Sequence, residues 1–388
     1  MKIADIVTRS VKLEGAISNA VVSFDDHDVS LVAVVSDVVR NGRPVAGIGF
    51  NSIGRYAQHG ILSTRIRPRI LNAAPDSLLD ESRTRFDPAR IYAAAMKNEK
   101  PGGHGDRASA VGALELAIWD LNAKLDDRPA YAAVAEAFGR TVAAARVPVY
   151  AAGGYYYASG GGRTLRDELQ GYRDQGFDAF KIKVGGADAA EDLARIEEAL
   201  AVAGAGSRLA VDANGRFGLH DALTFGQSIA GYGLRWYEEV GDPLDFALNQ
   251  ALTHNYDGAI ATGENLFSLQ DVRNLLNFGG MRPGRDIFQM DAGLSYGLTE
   301  YGRIIDLLER RGYSREQVFP HGGHLINLHI VAGLGLGGCE AYPGVFKPFG
   351  GFPPSCPVVD GTVWPSDAPG FGLEEMPGIA AAISDLLG

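Results

Sequence analysis

Cysteine is scarce and long apolar runs are missing from this sequence. Cys339 and Cys356 are its only cysteines, so no disulfide framework is expected and a reducing cytoplasm is the predicted location. No apolar run approaches the length of a membrane-spanning helix, and the N-terminal segment has no signal-peptide core. These absences predict a cytoplasmic protein without a membrane partner.

Motifs for nucleotide and zinc binding are also lacking. No GxGxxG follows a strand-like segment, and GxxxxGKS/T, HExxH and paired CxxC motifs are absent. The formal net charge of −11 and the sequence pI of 5.2 argue against nucleic acid as a partner. A nucleotide cofactor, a structural zinc and a nucleic-acid function are therefore not expected.

Residues 1–130 are predicted to form an α+β unit. Two stretches alternate between apolar and polar residues as antiparallel strands do, and Asn41-Gly42 indicates a hairpin turn. Helical sequence follows, and in its last segment, at 108–127, apolar residues recur every three or four positions. Strands followed by helices are typical of a separate α+β domain.

Residues 145–350 have a different pattern, in which short apolar strand candidates alternate with segments long enough for one helix. Eight such candidates occur, the seventh being QVFPHGG at 317–323. This pattern predicts a (β/α)-type barrel. Residues 355–388 are rich in proline and glycine before a short helix, and they are predicted to leave the barrel and pack on the first unit.

Three acidic residues, Asp212, Glu238 and Glu264, lie at intervals of 26 residues, and each ends a strand candidate. Such positions fall at the C-terminal rim of a barrel, where these folds keep their active sites. Carboxylates that converge there repel one another unless a cation lies between them, and all-oxygen ligands favour Mg²⁺. The alternative is a set of unrelated capping or solvated acids. Because adjacent strand residues face opposite ways, Glu239 is expected to form a salt bridge or to contact a ligand from behind.

Lys181 and Lys183 end the second barrel strand and share one strand face, so both ammonium groups are expected to point into the barrel mouth. Two adjacent ammonium groups near a metal ion should lower the pKa of at least one of them toward neutrality. A lysine without its proton can act as a general base. The alternative is a pair of surface lysines.

A second proton-transfer group is predicted from Asp291 and His321, which end the sixth and seventh strands. A carboxylate that accepts from one imidazole nitrogen fixes the tautomer and stabilises the imidazolium. His324 lies in the same loop, and remains an alternative as the dyad histidine or as a substrate contact. Glu340 ends the eighth strand and, if protonated, would donate a hydrogen bond to a substrate carboxylate. The alternative for Glu340 is an ion pair with Lys347.

Contacts with a substrate are predicted from loops around the barrel mouth. Asn214 shares the inward face of Asp212, although a turn-forming role is as probable for an asparagine here. Tyr155 and Tyr156 follow the first barrel strand, and the loops at 16–24, 51–60 and 155–157 are expected to set substrate choice. Lys100 and Arg55 could meet a distal carboxylate or lie on the surface.

These residues together resemble the enolase superfamily in its mandelate racemase-like branch. The segments at 113–125 and 368–375 also resemble the last cap helix and the C-terminal segment of that branch. The residues that match its pattern are Lys181, Lys183, Asp212, Glu238, Glu264, Asp291, His321 and Glu340. The resemblance implies a modified (β/α)7β TIM barrel with an α+β capping domain built from the N-terminus and the C-terminal tail. It also implies bound Mg²⁺ and a symmetric homo-oligomer.

The resemblance further implies a reaction at a carbon next to a carboxylate. His321 lies in a Pro-His-Gly context similar to acid-sugar dehydratases of the branch, whereas His324-Leu325 is more similar to the racemase. Dehydration of a small acid sugar, first of all D-tartrate to oxaloacetate, is therefore the favoured hypothesis. Racemisation or epimerisation of an α-hydroxy acid, or dehydration of a larger aldonate or aldarate, is the alternative. A non-catalytic binding barrel and a Schiff-base aldolase are further rivals.

Overall fold

The structure is a computed structural model that describes residues 1–15, 17–142, 145–156 and 164–388. Ala16 and Tyr157, which belong to loops predicted to set substrate choice, lie outside the described residues. No helix in the described part of the chain is both long and apolar enough to cross a membrane.

The chain begins with a three-stranded antiparallel sheet, which contains β1 (Ile3–Lys12), β2 (Asp28–Arg40) and β3 (Arg43–Phe50) in that order. Asn41 and Gly42 join β2 to β3 with φ values of 50° and 75°. Positive φ at both central residues is characteristic of the type I′ turn, whose twist matches that of the flanking strands. The predicted hairpin is confirmed.

Helical segments follow this sheet in the chain. They are α1 (His59–Ile61), a π-helical turn (Leu62–Ile66), α2 (Arg67–Leu71), a 3-10 turn (Pro75–Leu78), α3 (Pro88–Ala95), α4 (Asp106–Leu125) and α5 (Ala130–Ala137). Helix α4 packs directly on β3, because Gly47 and Gly49 present no side chain there. A Cβ on Gly47 would lie 2.1 Å from the Ala117 carbonyl oxygen, and one on Gly49 would lie 2.4 Å from that of Ala113.

A parallel sheet follows, in the order β10-β4-β5-β6-β7-β8-β9. Its strands are β4 (Val147–Ala152), β5 (Phe180–Lys183), β6 (Leu209–Asp212), β7 (Tyr237–Glu238), β8 (Ile260–Thr262), β9 (Ile287–Phe288) and β10 (Cys339–Ala341). All residues of β5 and β6 are buried, as expected of parallel strands covered on both faces. The fold is the predicted α/β barrel of the (β/α)7β type with an N-terminal capping sheet.

One helix follows each strand position before β10. These helices are α6 (Leu165–Asp174), α7 (Ala189–Ala203), α8 (Leu219–Ile229), α9 (Phe246–Asn255), α10 (Leu269–Phe278), α11 (Leu298–Arg310) and α12 (Leu325–Leu334). Short 3-10 turns occur at Gly206–Arg208, Ala230–Tyr232 and Arg315–Gln317. The side chains of Thr164, Asp188 and Ser268 accept from N-terminal amides of α6, α7 and α10, so the sequence marks where these helices begin.

The predicted seventh strand is present only as a single bridge between Phe288 and Val318. The amide of Phe319 donates to the Phe288 carbonyl oxygen at 2.9 Å, and that of His321 donates to Gln289 at 3.2 Å. Pro320 lies between them and has no N–H, so a regular ladder cannot continue through this position. The segment occupies the seventh place of the barrel without being a strand.

The C-terminal tail contacts both the barrel and the first sheet. Its strand β11 (Thr362–Val363) pairs with the start of β4, and the amide of Phe371 donates to Asp120 on α4 at 2.7 Å. After a 3-10 turn (Leu373–Glu375), helix α13 (Pro377–Leu387) packs against β1 and β2. An ion pair between Arg9 and Asp385 joins the same surfaces.

Candidate active site

The predicted lysines and carboxylates meet at the C-terminal ends of adjacent strands. Lys183 pairs in register with Asp212, and Asp212 pairs with Glu238, across the parallel strands β5, β6 and β7. Glu264 follows β8 by two residues, and Glu340 lies within β10. Parallel strands bring these ends to one rim.

Each lysine of β5 forms an ion pair with a carboxylate. The Lys183 ammonium nitrogen lies 2.5 Å from Asp212 Oδ2. Lys181 contacts Glu238, lies 2.7 Å from Glu340 Oε1 and is 3.6 Å from Asp212 Oδ2. Lys181 is fully buried, whereas Lys183 retains slight exposure. The alternative of a surface lysine pair is therefore wrong, and so is the alternative of an ion pair between Glu340 and Lys347, because Glu340 pairs with Lys181.

The pKa values at the rim reflect burial and unequal pairing of charges. Burial alone would raise the pKa of Asp212, but the ammonium groups of Lys183 and Lys181 lower it to about 2. Burial raises the pKa of Glu238 to about 8, and Asp212 and Glu340 add to this while Lys181 opposes it. One carboxyl group of this cluster therefore carries a strong penalty for ionisation.

The pKa of Lys181 is raised, whereas the sequence predicts that at least one of the two lysines has a lowered pKa. Burial alone would lower the pKa of Lys181, but the carboxylates of Glu238 and Glu340 raise it well above its usual value. Burial would likewise raise the pKa of Glu340, but Lys181 and His321 lower it below its usual range. This geometry favours an ionised Glu340, which differs from the protonated donor considered from the sequence.

The residues fit a divalent cation by the chemistry of their donor atoms. No three His, Cys, Asp or Glu side chains of the described ranges are already arranged to hold a metal ion, because Asp212 and Glu238 each use an oxygen on a lysine. Carboxyl groups nevertheless outnumber ammonium groups here, and burial together with Glu264 raises the pKa of Glu239 well above its usual value. Clustered oxygen ligands with excess negative charge suit Mg²⁺, so Asp212, Glu238 and Glu264 remain its predicted ligands.

His321 lies among three acids and faces the same rim. Its Nδ1 is 3.8 Å from Asp291 Oδ2, and its Nε2 is 3.8 Å from Glu264 Oε2 and 3.2 Å from the Tyr342 hydroxyl. Burial alone would lower the pKa of His321, but Glu264, Asp291 and Glu340 raise it to about 9. The raised pKa favours the protonated imidazole at neutral pH, the form that can donate a proton.

His324 is buried behind the rim and uses both ring nitrogens within the protein. Its Nδ1 accepts from the amide of Asn327 at 3.3 Å, where it caps α12, and its Nε2 lies 2.9 Å from the Ser52 hydroxyl oxygen. It does not line the cavity described below. The predicted substrate contact of His324 is therefore corrected, and the geometry favours His321 as the histidine of the dyad.

A cavity of about 440 Å³ opens above the rim, between the cap and the barrel. Residues from the cap line one side: Asn19, Val21, Val22, Phe24, Ile53, Gly54 and Arg55. Residues from the barrel line the other: Tyr155, Lys183, Asn214, Glu239, Glu264, Asn265, His321 and Tyr342. The described parts of the loops at 16–24 and 51–60 thus reach the cavity, whereas Lys100 does not line it.

The two tyrosines predicted as substrate contacts lie on opposite sides of the chain. Tyr155 lines the cavity, with its ring centroid 5.3 Å from the Lys183 ammonium nitrogen. Tyr156 does not line the cavity; its hydroxyl donates to Asp192 at 2.7 Å and accepts from the Gly186 amide at 2.9 Å. The prediction for Tyr156 is wrong, because successive residues at the end of a strand point in opposite directions.

Asn214 and Glu239 both line the cavity and both have positive φ. Asn214 lines the cavity and also forms the predicted turn, with φ of 48° and its amide bonded to Asp212 Oδ1. Strand alternation predicts that Glu239 faces away from the cavity, but Glu239 lines it. Its φ of 37° lies outside the extended region, so the alternation of a strand does not continue to this residue. Asn265 donates to Glu239 at 2.6 Å and also binds Arg55 of the cap. Positive φ values at these positions could not be read from the sequence.

Comparison with known proteins identifies the family. Residues 164–377, more than half of the chain, match a family described as enolase C-terminal domain-like. The L-talarate/galactarate dehydratase of Salmonella typhimurium is 26% identical over 345 residues, which are 88% of this chain and 80% of that protein. The 3,6-anhydro-alpha-L-galactonate cycloisomerase of Streptomyces coelicolor is 28% identical over 284 residues, which are 70% of each chain.

A solved structure extends this similarity to the whole fold. A racemase from Streptomyces coelicolor, solved with bound magnesium, superposes with a TM-score of 0.75 and 21% identity, over 99% of this chain and 98% of the other. Its fold therefore includes both the capping unit and the barrel. The chain belongs to the enolase superfamily, in its mandelate racemase/muconate lactonizing enzyme branch.

Proposed function

We propose that this enzyme is an Mg²⁺-dependent dehydratase of a small acid sugar. The observation that carries the proposal is that Lys183, at the end of β5, and His321, in the segment at the seventh place of the barrel, line one cavity, and that the strands carrying Asp212, Glu238 and Glu264 lie between them. A base and an acid in one cavity can remove a proton from one carbon and protonate a hydroxyl on the next. The similarity to a dehydratase over 88% of the chain supports the same reaction class.

Asp212, Glu238 and Glu264 would hold the Mg²⁺. When bound, the ion would neutralise the second negative charge that a substrate carboxylate acquires as its neighbouring carbon loses a proton. Lys181, fixed by Glu238 and Glu340, adds a permanent positive charge behind the same group. These residues would bind and stabilise, and they need not exchange protons.

Lys183 would take the α proton, and the electrons of that C–H bond would pass into the carboxylate as an enediolate. His321, whose pKa is raised to about 9 by the neighbouring acids, would donate a proton to the β-hydroxyl. The C–O bond then breaks, water leaves, and the resulting enol tautomerises to a 2-keto acid. Asp291 would hold the His321 imidazolium from its other nitrogen side.

D-tartrate is the first substrate to test, with oxaloacetate as product. The segments at 319–329 and 339–352 resemble D-tartrate dehydratase, whereas the Salmonella relative is named for the longer diacids talarate and galactarate. Arg55 on the cap side of the cavity could meet the distal carboxylate of a diacid. We therefore rank diacids above monocarboxylic aldonates.

Racemisation or epimerisation is the second candidate, because two proton-transfer groups on one cavity could also exchange protons at a single carbon. The product distinguishes the reactions, since a dehydratase yields a 2-keto acid and a racemase only the other stereoisomer.

The test is incubation of the protein with Mg²⁺ and a panel of four- to six-carbon acid sugars. The 2-keto acid is assayed with a carbonyl reagent, and α-deuterium exchange in D2O is followed by NMR. Keto acid from one tartrate stereoisomer is the expected result. Exchange without keto acid would replace dehydration by racemisation or epimerisation, and silence in both assays would overturn the proposal.

A further inference from the structure

The hydroxyl of one cap residue reaches the carboxylate of the predicted dyad. Ser52 comes two positions after β3 and is fully buried. Its Oγ donates to Asp291 Oδ2 at 2.5 Å, across 239 residues of sequence. The cap therefore contributes a polar group directly to the barrel's acid–histidine pair, and no motif in the sequence marks this residue.

Hydrogen bonds around Ser52 run in one direction. The amide of Asn327 donates to His324 Nδ1, so the His324 proton lies on Nε2 and points at the Ser52 oxygen 2.9 Å away. Ser52 then has its own proton free for Asp291. Bonds aligned in this way polarise one another, so the chain from α12 through Ser52 fixes one oxygen of Asp291.

The other contacts of Asp291 leave few alternative positions for its carboxylate. Its Oδ1 accepts from the amide of Gly293 at 2.7 Å, and its Oδ2 also lies 3.2 Å from Asn327 Nδ2. His321 Nδ1 is buried, has no hydrogen-bond partner among the described residues, and lies 3.8 Å from the same Oδ2. The oxygen that Ser52 holds is thus the oxygen that faces His321.

The absence of a side chain at Gly322 leaves room for the contact between Ser52 and Asp291. A Cβ on Gly322 would lie 2.7 Å from Ser52 Oγ and 2.9 Å from both Asp291 Oδ2 and His324 Nε2. Ser52 also has a φ of 62°, a region that glycine adopts more easily than other residues. A residue other than glycine keeps such a conformation only where the surrounding structure holds it there.

We propose that Ser52 is a positioning residue for His321, which sets Asp291 so that the imidazole can protonate the departing β-hydroxyl. The inference rests on the proposed function and adds that the cap controls one half of the reaction. Removal of the α proton by Lys183 uses different contacts, with Asp212 and the Tyr155 ring. Loss of the Ser52 hydroxyl should slow departure of the hydroxyl and leave exchange of the α proton in place.

The experiment compares Ser52→Ala and Ser52→Gly with the parent in Mg²⁺ and D2O, on the acid sugar that the parent converts. Alanine and glycine both remove the hydroxyl but differ in backbone strain at positive φ. Ser36→Ala is the control, because Ser36 is a buried cap serine whose hydroxyl donates to the Val45 carbonyl oxygen at 2.8 Å. Keto-acid formation and α-deuterium incorporation into remaining substrate are measured in the same tube.

Both Ser52 variants should lose keto-acid formation by about 10- to 100-fold, the range typical for loss of a group that orients a functional residue. Their α-exchange should change by less than about threefold, so the ratio of exchange to product rises, while Ser36→Ala keeps the parent ratio.

A parallel fall of both rates, or a loss only in the variant with the lower melting temperature, would show a purely structural role and overturn the inference alone. An unchanged ratio in both Ser52 variants would do the same. A parent inactive in both assays would instead overturn the proposed function and, with it, the inference.

Discussion

At the residue scale, the two lysines of β5 have different surroundings although they share one strand face. Lys181 is buried among carboxylates, and these raise its pKa well above the usual value despite its burial. Lys183 instead reaches the cavity and contacts one carboxylate, Asp212, and the Tyr155 ring. The first setting suits a permanent charge, and the second suits a group that exchanges a proton with a ligand.

Replacing Lys183 by methionine should therefore abolish turnover while the fold remains. Methionine keeps the length and apolar stem of lysine but cannot take a proton. We expect keto-acid formation to fall by at least about 100-fold, because a general base typically contributes that much or more. Steady-state rates with Mg²⁺ check the loss, and thermal unfolding with and without Mg²⁺ checks that the fold and the ion's effect persist.

Lys12→Met is the matched control for this substitution. Lys12 is exposed and pairs only at the surface, with Asp26 at 3.2 Å, and such pairs contribute little to stability. Its rate should equal that of the parent. A Lys183→Met rate within about tenfold of the parent would be incompatible with Lys183 as the base.

The pKa of His321 predicts how stability depends on pH in chelator. Its folded-state pKa of about 9 lies above the ordinary value of 6.5, so the folded state binds the proton more tightly than the unfolded state. This stabilisation is fully present below about pH 6.5 and is lost as pH rises through about 9. Melting temperatures of the parent and of His321→Asn should converge over that interval, and parallel curves would contradict the shift.

A site residue can be predicted from the sequence when its position depends only on the strand that carries it. Asp212 and Glu238 end short buried strands, so strand direction alone places them on one rim. Ser52 acquires its role only through a contact with Asp291, far away in sequence. The prediction for Tyr156 is wrong because the sequence does not show which of two adjacent tyrosines after β4 faces the cavity.

At the element scale, the cap helix α4 supplies the N-terminal cap of the barrel helix α11. Gly297 precedes α11 and has no side chain to cap it. The buried carboxylate of Glu115 accepts instead from the amides of Leu298 and Thr299, at 2.7 and 2.9 Å. A carboxylate at a helix N-terminus satisfies free amides and interacts favourably with the helix dipole, so this contact joins the two units.

Glu115→Gln should destabilise the protein by about 1–3 kcal/mol, the cost of weakening buried hydrogen bonds to a charged group. Glutamine keeps the size of the side chain but has no charge and only one acceptor oxygen. Chemical denaturation measures the loss. The exposed Glu81→Gln should leave the free energy of unfolding nearly unchanged, and equal values for the two variants would contradict the capping role.

The close approach of β3 and α4 gives a second prediction at this scale. In Gly47→Ala the new Cβ would overlap the Ala117 carbonyl oxygen and the Leu121 side chain, so the helix must move away from the sheet. We expect a loss of about 1–3 kcal/mol from overpacking. Gly60→Ala is the control, since no atom of the described residues lies within 4 Å of a Cβ added there. Equal unfolding free energies for the two variants would contradict this packing.

The order of strands and helices can be predicted from the sequence, but whether each predicted strand forms a regular hydrogen-bonded ladder cannot. Alternation of strand candidates and helices predicts the barrel, and Asn41-Gly42 predicts the hairpin that the structure contains. The segment around Pro320 has strand-like composition, yet it forms one bridge only. Hydrogen bonding along a ladder depends on neighbours that are distant in sequence, so composition alone could not give this result.

At the scale of the whole molecule, the net charge of −11 is unfavourable for an anionic substrate, and the site contains further carboxyl groups. Arg55, Lys183 and His321 give the cavity its positive charge, and a divalent cation held by the acidic rim would add to it. The cap and the barrel each line one side of the cavity. Metal binding, cap docking and folding stability are therefore expected to be linked.

Glu238→Gln tests this linkage, because we expect the variant to be at least as stable as the parent in chelator but less stable than the parent in excess Mg²⁺. The folded-state pKa of Glu238 is raised from 4.5 to about 8, so folding loses stability as pH rises from about 4.5 to 8 and the carboxyl group ionises in the unfolded state first. In chelator at pH 8, the glutamine variant should therefore be at least as stable as the parent. Mg²⁺ at a hundred times its Kd should increase the free energy of unfolding of the parent by about 2.7 kcal/mol, and its melting temperature should rise accordingly. The melting temperature of the variant should rise much less. The control Glu81→Gln should have the melting temperature of the parent both in chelator and in excess Mg²⁺.

The prediction is contradicted if Glu238→Gln is less stable than the parent in chelator and yet gains as much stability from Mg²⁺ as the parent does. That result would show that Glu238 is not a ligand.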